Sequence, residues 1–258
     1  MNCLKFNIYT QMKNKLTKIK DYLLNLIFPS NIKCIFCEQE LNIDAVFNTC
    51  PNCVKSLPFI KSCCDRCGTS ISEDVLGVCE KCKNTNYNFV QARSVFSYNS
   101  LPLKLVRKVK FRSKKIFIES MAKYLFDYYS TWNISVDFVT YVPMHPKQEK
   151  LRGFNQAKLL AKEFSNLANL TAISCCSKVL NTPNQRQLSF AKRQENVKDS
   201  FKFNKEFCSL IKGKTLLIID DVFTTGATTS ELSKTIISAG AKACYVLTFA
   251  HTELNPQL

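Results

Sequence analysis

No apolar run in this 258-residue chain approaches the roughly 20 residues that cross a bilayer, so no transmembrane helix is expected. The N-terminus also lacks the uninterrupted apolar core of a secretory signal, because Lys13, Lys15, Lys18 and Lys20 break up Leu16, Ile19, Leu23 and Leu24. That spacing predicts a basic amphipathic helix over residues 13–28, within a leader of residues 1–30, which either packs on the protein or touches a membrane surface. Two nucleotide-binding signatures are missing as well. Neither G-x-G-x-x-G nor the Walker A pattern occurs, which argues against dinucleotide and P-loop sites. Acidic residues are scarce: 20 Asp and Glu face 36 Lys and Arg, a formal charge of +16. A polyanionic partner follows, whether nucleic acid, anionic lipid or a phosphorylated substrate.

Without an export signal the fourteen cysteines belong in a reducing, cytoplasmic setting, where disulfide frameworks are rare. Eight of them form four C-x-x-C pairs: Cys34/Cys37, Cys50/Cys53, Cys64/Cys67 and Cys79/Cys82. Intervals of twelve and eleven residues separate the pairs within each half, two zinc-ribbon spacings in succession. Each half supplies a closed Cys₄ set with no open position for water, hence structural rather than catalytic Zn²⁺. An interleaved pairing would use the same eight ligands, and spacing does not choose between the two. Eight thiolates and two Zn²⁺ together subtract four charges, leaving about +12. Cys63 is a spare neighbour, and Cys175, Cys176, Cys208 and Cys244 are expected as small core side chains.

The densest chemistry lies in residues 215–231. Thr215 to Ile219 reads as a strand buried on both faces, and Asp220 and Asp221 stand where it should end. A Thr/Gly turn follows, then a helix whose start fits a capping box of Thr228 and Glu231. Ala243 to Ala250 is the next strand, so the turn leaves the carboxyl end of a strand in a β-loop-α-β unit, where open α/β sheets bind ligands. Backbone N–H groups at the helix start, the hydroxyls of Thr224, Thr225, Thr228 and Thr229, and close backbone approach at Gly226 make a cradle for phosphate. The two carboxylates require the opposite, sugar hydroxyls or hydrated Mg²⁺. A ribose 5-phosphate group carries both ends.

Elsewhere, strands are expected at Phe89–Tyr98, Val136–Val142 and Thr171–Leu180, and helices at Lys114–Tyr129 and Phe154–Leu167. The fold class is α/β, an open and mainly parallel sheet over residues 87–258 behind a double ribbon at residues 31–86. Residues 181–198 are polar and basic, either a mobile functional loop or simply unstructured. Lys104, Arg107, Lys108, Lys110, Arg112, Lys114 and Lys115 put seven cations in twelve residues, interleaved with apolar positions as in an amphipathic helix. Such a face is commonly just solvated. It also suits the phosphates of single-stranded DNA, with Tyr98 or Phe111 available to stack a base.

Ile218-Ile219-Asp220-Asp221-Val222-Phe223-Thr224-Thr225-Gly226-Ala227-Thr228-Thr229 resembles the binding signature of type I phosphoribosyltransferases. The resemblance implies that Asp220 and Asp221 hold the ribose hydroxyls of phosphoribosyl pyrophosphate (PRPP), with Mg²⁺, and that Thr224 to Thr228 hold its 5-phosphate. Together with the tandem C-x-x-C pairs, Val142-Pro143-Met144-His145-Pro146, Arg152-Gly153-Phe154-Asn155-Gln156-Ala157, Gln185-x-x-Leu188-Ser189 and Arg193-x-x-Asn196, the chain resembles the ComF family of competence-associated proteins. That family joins a zinc-binding N-terminus to a phosphoribosyltransferase-like domain and is linked to uptake of single-stranded DNA in natural transformation. It implies a cytoplasmic protein that binds PRPP and single-stranded DNA and meets other uptake machinery at the inner membrane face. If the sheet follows the type I pattern, His145, Lys147 and Arg152 approach pyrophosphate, and Arg186, Lys192 and Arg193 sit on a closing loop. The alternative is an active phosphoribosyltransferase of nucleotide metabolism, with no residue identifying its acceptor. Ammonia transfer from glutamine is not expected, because Cys3 sits in the lysine-rich leader without a glutaminase domain.

Overall fold

The computed structural model describes residues 33–72, 77–111, 115–181 and 196–252. The leader helix, Arg112, Lys114, Arg186, Lys192 and Arg193 lie outside the described residues. In chain order the elements are α1 Pro51–Lys55, α2 Glu80–Lys83, β1 Ala92–Ser97, α3 Ser100–Phe111, α4 Lys115–Thr131, β2 Phe138–Tyr141, α5 Pro146–Arg152 and α6 Gln156–Ala168. There follow β3 Thr171–Ala172, β4 Cys176–Lys178, β5 Phe201–Phe203, α7 Cys208–Ile211, β6 Thr215–Phe223, α8 Ala227–Ser238 and β7 Ala243–His251.

Five strands form one sheet in the order β1-β7-β6-β2-β3, every pair parallel. Parallel pairing buries both faces, which is why β6 and β7 read as nearly continuous apolar runs. Leu217, Ile219, Leu247 and Phe249 face one core, shared with α4, α6 and the first cysteine cluster. Leu216, Ile218, Cys244 and Val246 face the other, shared with α8 and the second cluster. Each ribbon therefore backs a different face of the sheet. The first is tied down by Tyr124, whose hydroxyl donates to Thr49 Oγ1 at 2.9 Å, and by Asn48 Nδ2 donating to Ser120 Oγ at 2.8 Å.

Several sequence expectations need correction. The single strand expected at Thr171–Leu180 is two: β3 extends the main sheet, whereas β4 pairs antiparallel with β5. Strand β6 does not stop at the carboxylates but continues to Phe223, because β7 supplies partners that far. The capping box is not formed. Gly226, in the left-handed region at φ 79°, is the N-cap of α8, and Glu231 Oε1 instead accepts from Asp199 N at 3.0 Å. Cys208 is exposed at the start of α7, while Cys175, Cys176 and Cys244 are buried as expected.

Cys34, Cys37, Cys50 and Cys53 form one cluster and Cys64, Cys67, Cys79 and Cys82 the other, all ligand atoms in each lying within 4.8 Å. The sequential pairing, not the interleaved one, is the observed one. Two sulfurs each 2.3 Å from a tetrahedral Zn²⁺ are about 3.8 Å apart. Cys37 and Cys50 Sγ are separated by 3.7 Å and Cys67 and Cys79 Sγ by 3.8 Å, so the donor sets fit that ion. The backbone N–H groups of Cys50 and Cys79 donate to the sulfurs of Cys34 and Cys64 at 3.4 and 3.2 Å, which favours thiolate. The thiol of Cys67 and nearby amides pull Cys64 down to about 3.

Metal analysis of protein purified without added zinc should return two Zn²⁺ per chain. Chelation should then raise amide exchange both in the ribbons and in α4, since Cys34, Ile35, Phe36 and Leu57 share a core with Phe96 and Tyr124. A metal-free chain whose ribbons keep full protection would contradict the assignment.

Candidate functional site

Strands β2 and β6 are neighbours, but the connections leaving them run in opposite directions. From β2 the chain goes outward to β3, and from β6 it goes the other way to β7. Their carboxyl ends thus flank a switch point, where an open α/β sheet has a crevice. Pairing of β2 with β6 ends at Tyr141 and Ile219, one residue before the carboxylates. On the far side Asp220 is still paired with Thr248 of β7. The backbone is held while one flank is left open.

A cavity of about 160 Å³ fills that opening, lined by Asp220 and Asp221, by the β2 turn through Met144, and by Gln148, Arg152, Asn155 and Gln156 from α5 and the start of α6. Lys110 of α3 and Lys178 of β4 complete the wall. The residues around Arg152 fall into place locally. Gly153 closes α5 at φ 86°, and Asn155 caps α6 by accepting from Lys158 N at 3.3 Å while donating to Val142 O at 3.1 Å. Arg152 donates to Gln156 Oε1 at 3.1 Å, and the buried Gln156 Nε2 has no hydrogen-bond partner among the described residues.

The carboxylates are half-buried rather than solvent-facing, because β7 and the cavity wall cover them. Burial first, and the neighbouring Asp221 charge second, hold the Asp220 carboxyl well above the usual range. Lys110 Nζ lies 3.6 Å from Asp221 Oδ2. Burial lowers the Lys178 ammonium, with the Asp220 charge opposing it. Two carboxylates faced by Lys110, Arg152 and Lys178 can bind a ligand that presents hydroxyls to one wall and an anion to the other.

The cavity lining does not reach Thr224 to Thr228, which forms the turn beyond β6. Thr224 is exposed and Thr228 half-buried, so both hydroxyl-bearing residues border that turn. Thr225, Gly226 and Ala227 are buried. Thr225 Oγ1 accepts from Ala227 N at 3.4 Å and Thr229 Oγ1 donates to Gly226 O at 3.1 Å, so Thr229 serves the helix, not the cradle.

Not all expected site residues converge. His145 is the N-cap of α5, its Nδ1 accepting from Lys147 N at 3.2 Å, and neither residue lines the cavity. The cationic face of α3 is also divided. Lys104 and Arg107 are exposed, but Lys108 bonds to Glu38 Oε1 at 2.8 Å and Lys110 turns to Asp221. Lys115 pairs with Glu119, and half-buried Tyr98 packs against the first core; the Phe111 side chain lies outside the described atoms. Sequence reasoning missed Lys178 and Gln156 as cavity residues. The Gln156 signal was its place beside Arg152, whereas Lys178 reaches the cavity only through the β4–β5 pairing.

No helix among the described residues is long and apolar enough to cross a membrane. Residues 23–83 match the double zinc ribbon domain family. The chain is 26% identical over 229 residues to Competence protein F of Haemophilus influenzae, covering 84% of this chain and 95% of that protein. It is 25% identical over 225 residues to DNA utilization protein YhgH of Salmonella typhimurium, covering 85% and 96%. Among solved structures it is similar to glutamine phosphoribosylpyrophosphate amidotransferase from B. subtilis, at TM-score 0.35 and 18% identity over 51% of this chain and 25% of that one. That last likeness is too distant to bear on activity. Relatives aligned along nearly their whole length, and a paired cysteine ribbon set in front of a parallel sheet, support the reading of this chain as a ComF family protein.

Proposed function

We propose that the chain binds PRPP, or a related ribose phosphate, with Mg²⁺ at the carboxyl end of β6, binds single-stranded DNA on its basic surface, and acts in DNA uptake. The observation that carries the first part is the half-buried carboxylate pair beyond the end of β2, at the sheet's switch point. Asp220 and Asp221 accept from the ribose hydroxyls or hold hydrated Mg²⁺, and the Thr224–Thr228 turn with the first amides of α8 receives the 5-phosphate. Lys110, Arg152 and Lys178 suit the pyrophosphate oxygens in the adjoining cavity. The relatives named for competence and DNA utilization support the second part, together with the net positive charge. Lys104 and Arg107 are the α3 cations that present themselves to solvent. Uptake of single strands in a reducing cytoplasm fits a thiol-rich, basic protein of this kind.

Asp220→Asn combined with Asp221→Asn should weaken PRPP binding roughly 100-fold or more, two charge-assisted contacts at about 1.5–3 kcal/mol each, without unfolding the chain. Titration calorimetry of both forms reads this, and equal affinities would remove the pocket. The Asp220 proton gives a second readout. Because folding raises this carboxyl, the stability it contributes is present at low pH and declines as pH climbs past the ordinary carboxylate range. A ligand that needs the carboxylate must expel the proton, so affinity should rise with pH beyond what the ligand's own phosphate explains, and Asp220→Asn should abolish that excess.

Lys104→Glu with Arg107→Glu should weaken single-stranded DNA binding and reduce the slope of log K against log salt by about 0.7 per lost phosphate contact. PRPP affinity should stay unchanged. Lys110→Glu, by contrast, should act on the PRPP pocket through Asp221. Unaltered DNA affinity in the double variant would make α3 an ordinary solvated face.

A further inference from the structure

The second ribbon reaches into the Thr224–Thr228 turn. Tyr87, 5% exposed, donates its hydroxyl to Thr225 O at 2.9 Å, and Lys81 Nζ donates to the same oxygen at 3.1 Å. Lys81 lies between the ligands Cys79 and Cys82, on the turn that the second metal site folds. Arg66, between Cys64 and Cys67, donates to the Tyr87 carbonyl at 3.2 Å. One C-x-x-C knuckle of this cluster thus holds Tyr87, which holds the turn, and the other reaches the turn directly. The packing is equally tight. A Cβ added to Gly226 would lie 2.8 Å from Tyr87 Cε1 and 2.5 Å from Phe223 Cζ, so the turn's backbone rests directly on these rings. Asn88 extends the contact, its N–H and Nδ2 donating to Ser230 Oγ in the first turn of α8 at 3.0 and 3.1 Å.

We infer that Tyr87 and Lys81 are positioning residues for the phosphate turn, and that through them the second zinc site and ribose-phosphate binding are thermodynamically coupled. The inference rests on the ribose-phosphate reading of that turn. The carbonyl of Thr225, gripped from the ribbon side, fixes the plane of the Thr225–Gly226 peptide and hence the direction of the amides that follow it into α8. Loss of the metal frees both knuckles, and the turn loses two donors at once. By linkage, a ligand that stiffens the turn must in equal measure hold the second zinc more firmly.

The test uses the full zinc-loaded chain with ribose 5-phosphate as probe. Tyr87→Phe keeps the ring against Gly226 and removes one donor; it should weaken ribose 5-phosphate roughly two- to tenfold, and adding Lys81→Met should weaken it further. Lys81→Arg in the wild-type background should retain affinity. Inorganic pyrophosphate, which addresses the cavity rather than the turn, should bind all variants alike, a split that general destabilisation would not produce. Saturating ribose 5-phosphate should slow transfer of one of the two zinc ions to a chromogenic chelator in the wild type, but not in the double variant. Wild-type binding with unchanged affinity and unchanged zinc protection in the double variant would overturn the coupling while leaving the pocket intact. Absence of ribose 5-phosphate and PRPP binding in the wild type would overturn both the pocket and the coupling.

Discussion

On one side β6 is paired with β7 as far as Phe223, and on the other it is paired with β2 only as far as Ile219. That inequality governs the rest of the site. The long side keeps Asp220 and Asp221 in extended, ordered backbone, so their carboxylates cannot fold away into a turn. The short side removes the neighbouring strand and leaves a cavity, into which the β2 turn, α5 and α6 deliver amide and guanidinium groups. A strand with equal neighbours would have buried the pair or released it to solvent. Half-burial makes each contact with a ligand electrostatically stronger than it would be in open water.

The two cysteine clusters are integral to the same arrangement. A parallel sheet needs cover on both faces, and here each ribbon contributes to a different face: Ile35, Phe36 and Leu57 to one, and Cys64, Cys67 and Cys82, followed by Tyr87 and Phe89, to the other. Tyr87 stacks on Phe89 at 4.7 Å, and both meet Phe223 edge-on, directly below the turn that follows β6. His251 stacks on Phe223 at 4.9 Å, and burial lowers its imidazole to about 4, so the end of β7 packs as a neutral group. The ribbons are thus parts of the core that shapes the site, and metal loss should propagate well beyond their own short segments.

Much of this was legible from the residues. The eight ligands of C-x-x-C type, the doubly buried character of β6 and β7, and the acidic pair followed by a Thr/Gly turn are local patterns, and local patterns survive being read one segment at a time. What escaped is nonlocal. Whether Thr228 or Gly226 begins α8 depended on the packing of Gly226 against Tyr87, 139 positions away in the chain. The division of the α3 cations depended on Glu38 and Asp221, partners from two distant elements. Lys178 entered the cavity because β4 left the main sheet to pair with β5, a choice that no periodicity within Thr171–Leu180 encodes. Likewise Cys208 looks no different from Cys244 in the sequence, and only their elements distinguish an exposed helix start from a central strand.

Where a ribose phosphate sits relative to the acidic pair decides the role of the site, and a crystal structure of the zinc-loaded chain with PRPP and Mg²⁺ reads that directly. It should show the ribose hydroxyls or Mg²⁺ at Asp220 and Asp221, the 5-phosphate against the Thr224–Thr228 turn, and the pyrophosphate toward Arg152 and Lys178. A 5-phosphate lodged among Lys110, Arg152 and Lys178 instead, with the Thr224–Thr228 turn untouched, would contradict it.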